Sequence, residues 1–486
     1  MAFDLKLSTL SKTHRDEIIK TLMVKPAPTQ YEPNPSSQPC FITNKTNDTI
    51  ALPLGVWQQY LPVKDGSSIP ISDGFPNGDA DSYDQMNKDI KFTKKLLTAD
   101  TDPTGRGRDQ DVIIKQAIDQ LNKSGFVFLS LSTGQGKTLM SIYLSIYMGL
   151  KTVILTHLNV IKNQWGEEYL KATDNKIKVQ FLNKSGITLD PTADVYIVGI
   201  HKALSANLNE FIDIGTVIID ESHIATVTAF TQTLFKFRPR YLIGLSATPD
   251  RNDGLHSLFN FYFGPTTNFI VRKEKKPFTV YKVETDFEPT LKYKMVQRRQ
   301  TVDWNAVVQS IEENQKRWQL IVDIVINNPK NKIMVLCNRK VLSNGVYNLL
   351  IEQGEDAALL IGATKSCNKL ARVLVSSFKK SGTGYNDEFL DFLIIASDTK
   401  DARQYEGRIR QRNSTLYHIV DNYTSFHKHY KECEKFYIEK GATVKVINEL
   451  HIICQKYYYK YWFLKNLNMI IDIKNDILTA FIFLIL

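Results

Sequence analysis

The stretch Ser130-Leu131-Ser132-Thr133-Gly134-Gln135-Gly136-Lys137-Thr138 constrains the fold of this chain more than any other. The apolar run Phe126-Val127-Phe128-Leu129 before it reads as a short buried strand, and Leu139–Met148 after it has the apolar spacing of a packed helix. Strand, glycine-bearing turn and helix form the setting in which Gly-Lys-Thr cradles a phosphate. Gly134 and Gly136, with Gln135 between them, let backbone N–H groups converge on an anion. The helix N-terminus adds the positive end of its dipole. In such a loop Lys137 reaches the β- and γ-phosphates of a nucleotide, and the Thr138 hydroxyl ligates Mg²⁺. Leu131 stands where the G-x-x-x-x-G-K-T pattern has its first glycine. The loop alone therefore leaves a chance Gly-Lys-Thr open, and other segments must decide.

The alternation around the loop points to a parallel sheet. A helical period over Asp111–Leu121 leads into the first strand. Strand candidates then recur between helices at Thr152–His157, Val179–Leu182, Asp194–Ile200, Thr216–Asp220 and Tyr241–Ala247. A second series occupies Phe278–Val283, Lys332–Cys337, Ala357–Ile361, Arg372–Ser377, Phe392–Ala396 and Leu416–Val420, with no second Gly-Lys-Thr. Continuous apolar strands between helices imply sheets covered on both faces. The expectation is an α/β chain of two tandem parallel-sheet domains, 105–270 and 271–445, with an uncertain tail over 446–486. Residues 1–104 read as an accessory region: Lys25–Thr29 and Pro33–Pro39 are proline-broken, Thr49–Leu54 is a strand candidate, and 64–87 is Gly-, Ser- and Asp-rich, as in a mobile loop.

Charge narrows the partners. With 61 basic against 51 acidic residues the formal net charge is +10, which suits a polyanion. Cys40, Cys337, Cys367, Cys433 and Cys454 are scattered and odd in number, which argues against a disulfide framework or zinc site and fits a reducing compartment. No apolar run is long enough to span a bilayer, and Met1–Lys6 lacks a signal-peptide core, so a soluble intracellular protein is expected.

Three further segments carry chemistry. Thr216-Val217-Ile218-Ile219 ends in the carboxylates Asp220 and Glu221, then Ser222-His223. Beside a phosphate loop, the first could hold Mg²⁺ and the second could polarise a water, although acidic strand ends are common at the rim of parallel sheets. Gly244-Leu245-Ser246-Ala247-Thr248-Pro249-Asp250-Arg251 follows the next strand, and Gln404-Tyr405-Glu406-Gly407-Arg408-Ile409-Arg410-Gln411-Arg412 stands in the second domain.

In this order the segments resemble motifs I, II, III and VI of the superfamily 2 helicases of the DExH type. Thr156-His157-Leu158 with Gln164-Trp165 is similar to the XPB-like branch, as is Gly244–Arg251 with Asp253-Gly254. Within it the chain resembles phage UvsW and the helicases of large DNA viruses, including the poxvirus transcript-release helicase and its African swine fever and iridovirus relatives. Ile419–Tyr423 and Lys435–Tyr437 also look like the viral segment after motif VI.

The resemblance implies two RecA-like domains, ATP and Mg²⁺ as cofactors, and ATP hydrolysis coupled to movement on nucleic acid. It implies DNA before RNA, with a role in transcription elongation or transcript release, hence viral transcription machinery as a partner and the host cytoplasm or virion as location. RNA unwinding, and a duplex translocase that does not separate strands, stay open. By position, Asp220 is the Mg²⁺ carboxylate and Glu221 the base, while His223, Ser246 and Thr248 couple nucleotide state to the nucleic-acid track. Gln404 and Arg408 reach for the γ-phosphate. Gln110 is the candidate adenine reader, with Gln116 as rival. The family's motif VI ends in an arginine where this chain has Gln411, so Arg412, four residues from Arg408, is expected to take that role. Gly382–Tyr385 stands only coarsely for motif V. His427 and His429 read as a solvated basic face, because i,i+2 imidazoles on a helix diverge. Tyr457–Trp462 mixes aromatic and basic residues in a stretch unlike the family.

Overall fold

The computed structural model describes residues 2–27, 34–57, 60–62, 68–70, 77–102, 108–132, 134–156, 159–183, 188–205, 211–222, 233–246, 256–272, 277–296, 299–362, 364, 367–368, 370–381, 389–406, 409 and 414–454. The chain divides into two compact units, Met1–Glu274 and Lys275–Leu486.

The first unit is built on a seven-stranded sheet. Its order is Val179–Leu182, Val195–Gly199, Thr152–Thr156, Thr216–Ile219, Tyr241–Ser246, Phe126–Leu131, Ile270–Arg272, and every pair is parallel. Side chains alternate along each strand, so one strand serves two cores. Val127, Leu129 and Leu131 join Ile113, Ile114, Ala117 and Leu121 of the helix Gln110–Ser124, together with Trp165 and Tyr169 of the helix Asn159–Ala172. Phe126 and Phe128 face the other side.

That second face is covered in part by the N-terminal region and in part by later segments, including the helix His256–Phe263. Strand Ala2–Lys6 pairs antiparallel with Thr49–Pro53, which also pairs with Ile42–Asn44. Phe3, Ile18, Leu22, Leu52 and Leu54 lie in one core with Phe126, Phe128, Phe259 and Phe263. Contact is close enough that a Cβ at Gly55 would stand 2.5 Å from the backbone nitrogen of Gly264. The mobile loop expected over 64–87 is corrected for 77–87. Buried Tyr83 and Met86 anchor this piece, and its backbone N–H groups at Asp84 and Met86 donate to Asp213 and Gly149 carbonyls (2.9 and 2.8 Å). Composition reported the glycines and aspartates and concealed the two apolar anchors.

The second unit repeats the plan. Its order is Ala357–Leu360, Val373–Ser377, Ile333–Cys337, Phe392–Ile395, Thr415–Val420, Phe278–Glu284, Ala442–Asn448, again all parallel. The last strand carries the sheet past the expected boundary at 445, and the helical turn after it buries Ile452, whose carbonyl accepts from Asn327 Nδ2 at 2.8 Å. A separate ribbon pairs Tyr293–Val296 antiparallel with Arg299–Val302. Two tandem RecA-like parallel-sheet domains are therefore present. No helix among the described residues is long and apolar enough to cross a membrane. Residues 457–462 lie outside the described residues.

Candidate functional site

The glycine loop leaves the C-terminal end of its strand and enters the helix Lys137–Met148. Gly134 and Gly136 both sit at φ +87°, left-handed geometry that is accessible to glycine at little cost. A Cβ at Gly136 would also overlap the Gln110 amide. Leu131, in place of the pattern's first glycine, is the last residue of the strand and fully buried, so no special backbone conformation is required of it. Its carbonyl accepts from Lys137 Nζ at 2.8 Å. Gln135 is buried beneath the loop, whereas Lys137 and Thr138 are partly exposed.

Gln110 rather than Gln116 meets this loop. Its Nε2 donates to the Gln135 carbonyl (3.1 Å) and its Oε1 accepts from Leu97 N (3.0 Å). Gln116 instead accepts from Arg272 Nη2 at 3.3 Å, by the edge strand. Arg108 was not singled out from sequence. It donates through Nη1 to the Gly134 carbonyl (3.3 Å), while its Nε and Nη2 donate to Asp102 Oδ1 (3.1 and 2.7 Å). Asp102 is buried, so this charge-assisted pair ties the chain before the helix to the loop.

The sheet sets the acidic strand two places from the phosphate-loop strand, with Tyr241–Ser246 between them. Asp220 and Glu221 follow directly on the acidic strand, at the same C-terminal sheet edge. Glu221 has φ +48°, a left-handed conformation that costs a non-glycine residue on the order of 1–3 kcal/mol and tends to persist at functional turns. Ser222 holds the turn. Its buried hydroxyl donates to Ile219 O (3.0 Å) and accepts from Leu245 N (3.1 Å), linking the acidic turn to the next strand. Ser246 ends that strand, fully buried and in register with Ser130. His223 and Thr248 lie outside the described residues, as do Arg408 and Arg412; Gln404 lies in the short helix Arg403–Glu406 of the second unit.

Trp165 is the other residue whose part is visible only in three dimensions. Almost fully buried, it donates from Nε1 to Asp220 Oδ2 at 2.9 Å. The sequence signal was the Gln164-Trp165 pair, to which no chemistry had been attached. A hydrogen bond of this kind fixes a carboxylate's orientation, and such outer partners contribute roughly 10–100-fold to metal affinity. Trp165→Phe is therefore expected to raise the Mg²⁺ concentration that half-saturates nucleotide binding about tenfold, read by titration with a fluorescent ATP analogue. An unchanged titration would remove Trp165 from the site.

In the second unit the corresponding sheet edge carries a buried polar network. Arg317 Nε donates to Asp421 Oδ1 at 2.8 Å, and the Thr285 hydroxyl donates to the same oxygen at 2.9 Å. Glu312 Oε2 accepts from Arg339 N (2.9 Å), and burial pushes its carboxyl up. His429 is corrected from a solvated position: its Nδ1 lies 2.7 Å from Asp398 Oδ2 and its ring packs on Trp304. The helix period gave its direction relative to His427 but not what lay opposite.

Residues 107–251 match the family "Type III restriction enzyme, res subunit". The chain is 33% identical over 392 residues to "Putative helicase 161L" of Invertebrate iridescent virus 6, covering 74% of this chain and 87% of that protein. The chain belongs to the superfamily 2 helicases of large DNA viruses. It is 23% identical over 444 residues to "Transcript termination protein A18" of Yaba-like disease virus, covering 84% of this chain and 89% of the relative. The fold is similar to that of yeast Dbp5, solved with RNA and ADP BeF3, at a TM-score of 0.51 and 12% identity over 72% of this chain and 92% of that one. Members of the family are ATP-hydrolysing helicases, and the first unit fits that cofactor. Left-handed glycines, a helix N-terminus, Lys137 and Thr138 have the chemistry of phosphate donors, and the Asp220 carboxylate has that of a hard oxygen ligand such as Mg²⁺ takes.

Proposed function

We propose that this helicase is a DNA-stimulated ATPase that moves along and unwinds nucleic acid during viral transcription, at elongation or transcript release. One observation carries the transcriptional part: the similarity to the poxvirus termination protein runs through 84% of the chain, both units included. The net charge of +10 supports a polyanionic track. In this reading the host cytoplasm is the site of action, the viral transcription machinery is the partner, and residues 1–104 modify substrate choice.

Bound ATP supplies the driving free energy, and the chain's own residues do the rest. Gly134, Gln135 and Gly136 present backbone donors, Lys137 neutralises phosphate charge, and Thr138 with Asp220 holds Mg²⁺. Glu221 orients a water and accepts its proton, and Gln110 braces the loop through the Gln135 carbonyl, its amide oxygen being held by Leu97 N. Ser222 and Ser246, bonded into neighbouring strands, carry a change at the acidic turn into the adjoining strand, with His223 and Thr248 beyond it.

ATPase rates with single-stranded DNA, duplex DNA and RNA, measured side by side across a salt series, test this reading. DNA is expected to stimulate more than RNA, with log affinity falling linearly in log salt as phosphate contacts release counterions. Greater stimulation by RNA would transfer the same motor to RNA, and no stimulation by any nucleic acid would overturn the proposal.

A further inference from the structure

The ribbon of Tyr293–Val296 and Arg299–Val302 belongs to neither large sheet, and large apolar side chains on it are exposed. Tyr293 and Met295 take alternate positions on one strand and so share a face, which Leu291 extends just before it. They are 56%, 68% and 43% exposed. A stripe of three large apolar side chains on a two-stranded ribbon gains nothing for folding while it faces water, and such patches mark contact sites.

The ribbon is fixed at its base. Asp303 N donates to the Lys292 carbonyl at 2.7 Å, and Lys294 Nζ reaches Asp303 Oδ1 at 3.1 Å. Trp304 follows and packs its ring against Tyr423, Phe426 and His429. The connection before it is held by Asn422 N on Phe287 O (2.9 Å) and by Thr290 N on Ser310 Oγ (2.9 Å). Tyr423 and Asn422 follow the strand Thr415–Val420, and the ribbon itself is reached from the end of Phe278–Glu284. It therefore rises from the C-terminal edge of a parallel sheet, the edge at which such sheets bind ligands.

Charge selects the occupant. Residues 291–302 contain Lys292, Lys294, Arg298 and Arg299 and no acidic residue, within a chain of net charge +10. Asp303 at the base offsets one of these charges, through Lys294. Exposed aromatic and thioether side chains in a stretch that carries four basic residues and no acidic one suit stacked bases on a phosphate backbone better than a protein partner, which would have to bring the matching carboxylates. We propose that this ribbon is a single-strand contact: a base stacks on Tyr293 beside Met295 and Leu291, and the basic residues follow the backbone. The inference rests on the helicase reading above and adds to it a named element on which the unpaired strand lies.

The test uses the full chain with Tyr293→Ala and Met295→Ala together, and Tyr293→Phe as the conservative control. Stacking one base on an aromatic side chain is worth about tenfold in affinity or more. The half-saturating concentration of oligothymidylate for ATPase stimulation is expected to rise about tenfold in the double variant, with the unstimulated ATPase unchanged. Strand displacement on a forked duplex should fall in parallel. Tyr293→Phe should restore both, because stacking needs the ring and not the hydroxyl. A 5-iododeoxyuridine strand is expected to photocrosslink at Tyr293. Wild-type half-saturation in the double variant, with no crosslink on the ribbon, would overturn the proposal and assign the stripe to a protein partner. If the wild-type chain itself showed no stimulation by nucleic acid, the helicase reading would fail first, and the two failures are thus distinguishable.

Discussion

Replacing Glu221 with Gln is expected to cut ATP hydrolysis by about 10²–10⁴-fold while ATP still binds. The amide keeps the size and shape of the side chain but cannot take a proton from water. Backbone geometry should survive, because Gln faces the same left-handed φ of +48° that Glu already tolerates. The Trp165–Asp220 and Ser222–Leu245 hydrogen bonds do not involve the substituted group. Lys137→Ala should separate the two functions the other way, since it removes the positive charge next to the loop and weakens nucleotide binding itself. Filter binding of labelled ATP, run beside steady-state ATPase, distinguishes them. Wild-type turnover in Glu221→Gln would show that the base lies elsewhere.

Both large sheets were legible in the sequence for a definite reason. Central parallel strands are buried on both faces and therefore read as unbroken apolar runs between helices, as in Phe126–Leu131 and Ile333–Cys337. Of the four edge strands, Val179–Leu182 and Ala357–Leu360 were still apolar enough to read, and the other two lack that signature. Ile270–Arg272 has two exposed residues of its three, and Ala442–Asn448 has exposed and half-buried residues throughout, so neither stood out from a loop. Of the N-terminal strands Thr49–Pro53 was legible, whereas Ala2–Lys6 was not, for a related reason. Ala2–Lys6 mixes buried and exposed positions, and its apolar half is explained only by Phe126 and Phe128 across the core.

Residues that touch phosphate were legible because their chemistry fixes their type and spacing: Gly134, Gly136, Lys137 and Thr138 leave few alternatives. Those that position others were not. Trp165, Ser222 and the Arg108–Asp102 pair act through side-chain hydrogen bonds, three of which cross 55, 26 and 23 residues of sequence. A sequence period cannot report such a bond, since either partner alone looks like an ordinary core or surface residue. The same limit separates Gln110 from Gln116. Both precede the loop on one helix, and only the contact with the Gln135 carbonyl distinguishes them.

The largest effect on stability is expected from the second unit's buried ion pair. Arg317 is fully buried and Asp421 nearly so, and Asp421 also accepts from Thr285. Among the described residues, Arg317 Nη1 and Nη2 and Glu312 Oε1 are buried side-chain atoms with no hydrogen-bond partner. Desolvation here is incompletely offset, so the pair adds little net stability compared with an apolar packing of the same volume. Removing one partner is a different matter, because the other charge then stays in the core alone. Asp421→Ala should therefore cost about 3–5 kcal/mol, which for a unit of this size lowers the melting temperature by roughly 10 °C. Arg317→Met combined with Asp421→Leu should recover most of that loss, since no lone charge remains and the volume is filled. Thermal melts of the wild type, Asp421→Ala and the double variant make the comparison. Equal melting temperatures for Asp421→Ala and the double variant would show that the loss comes from packing or from the Thr285 bond rather than from a stranded guanidinium.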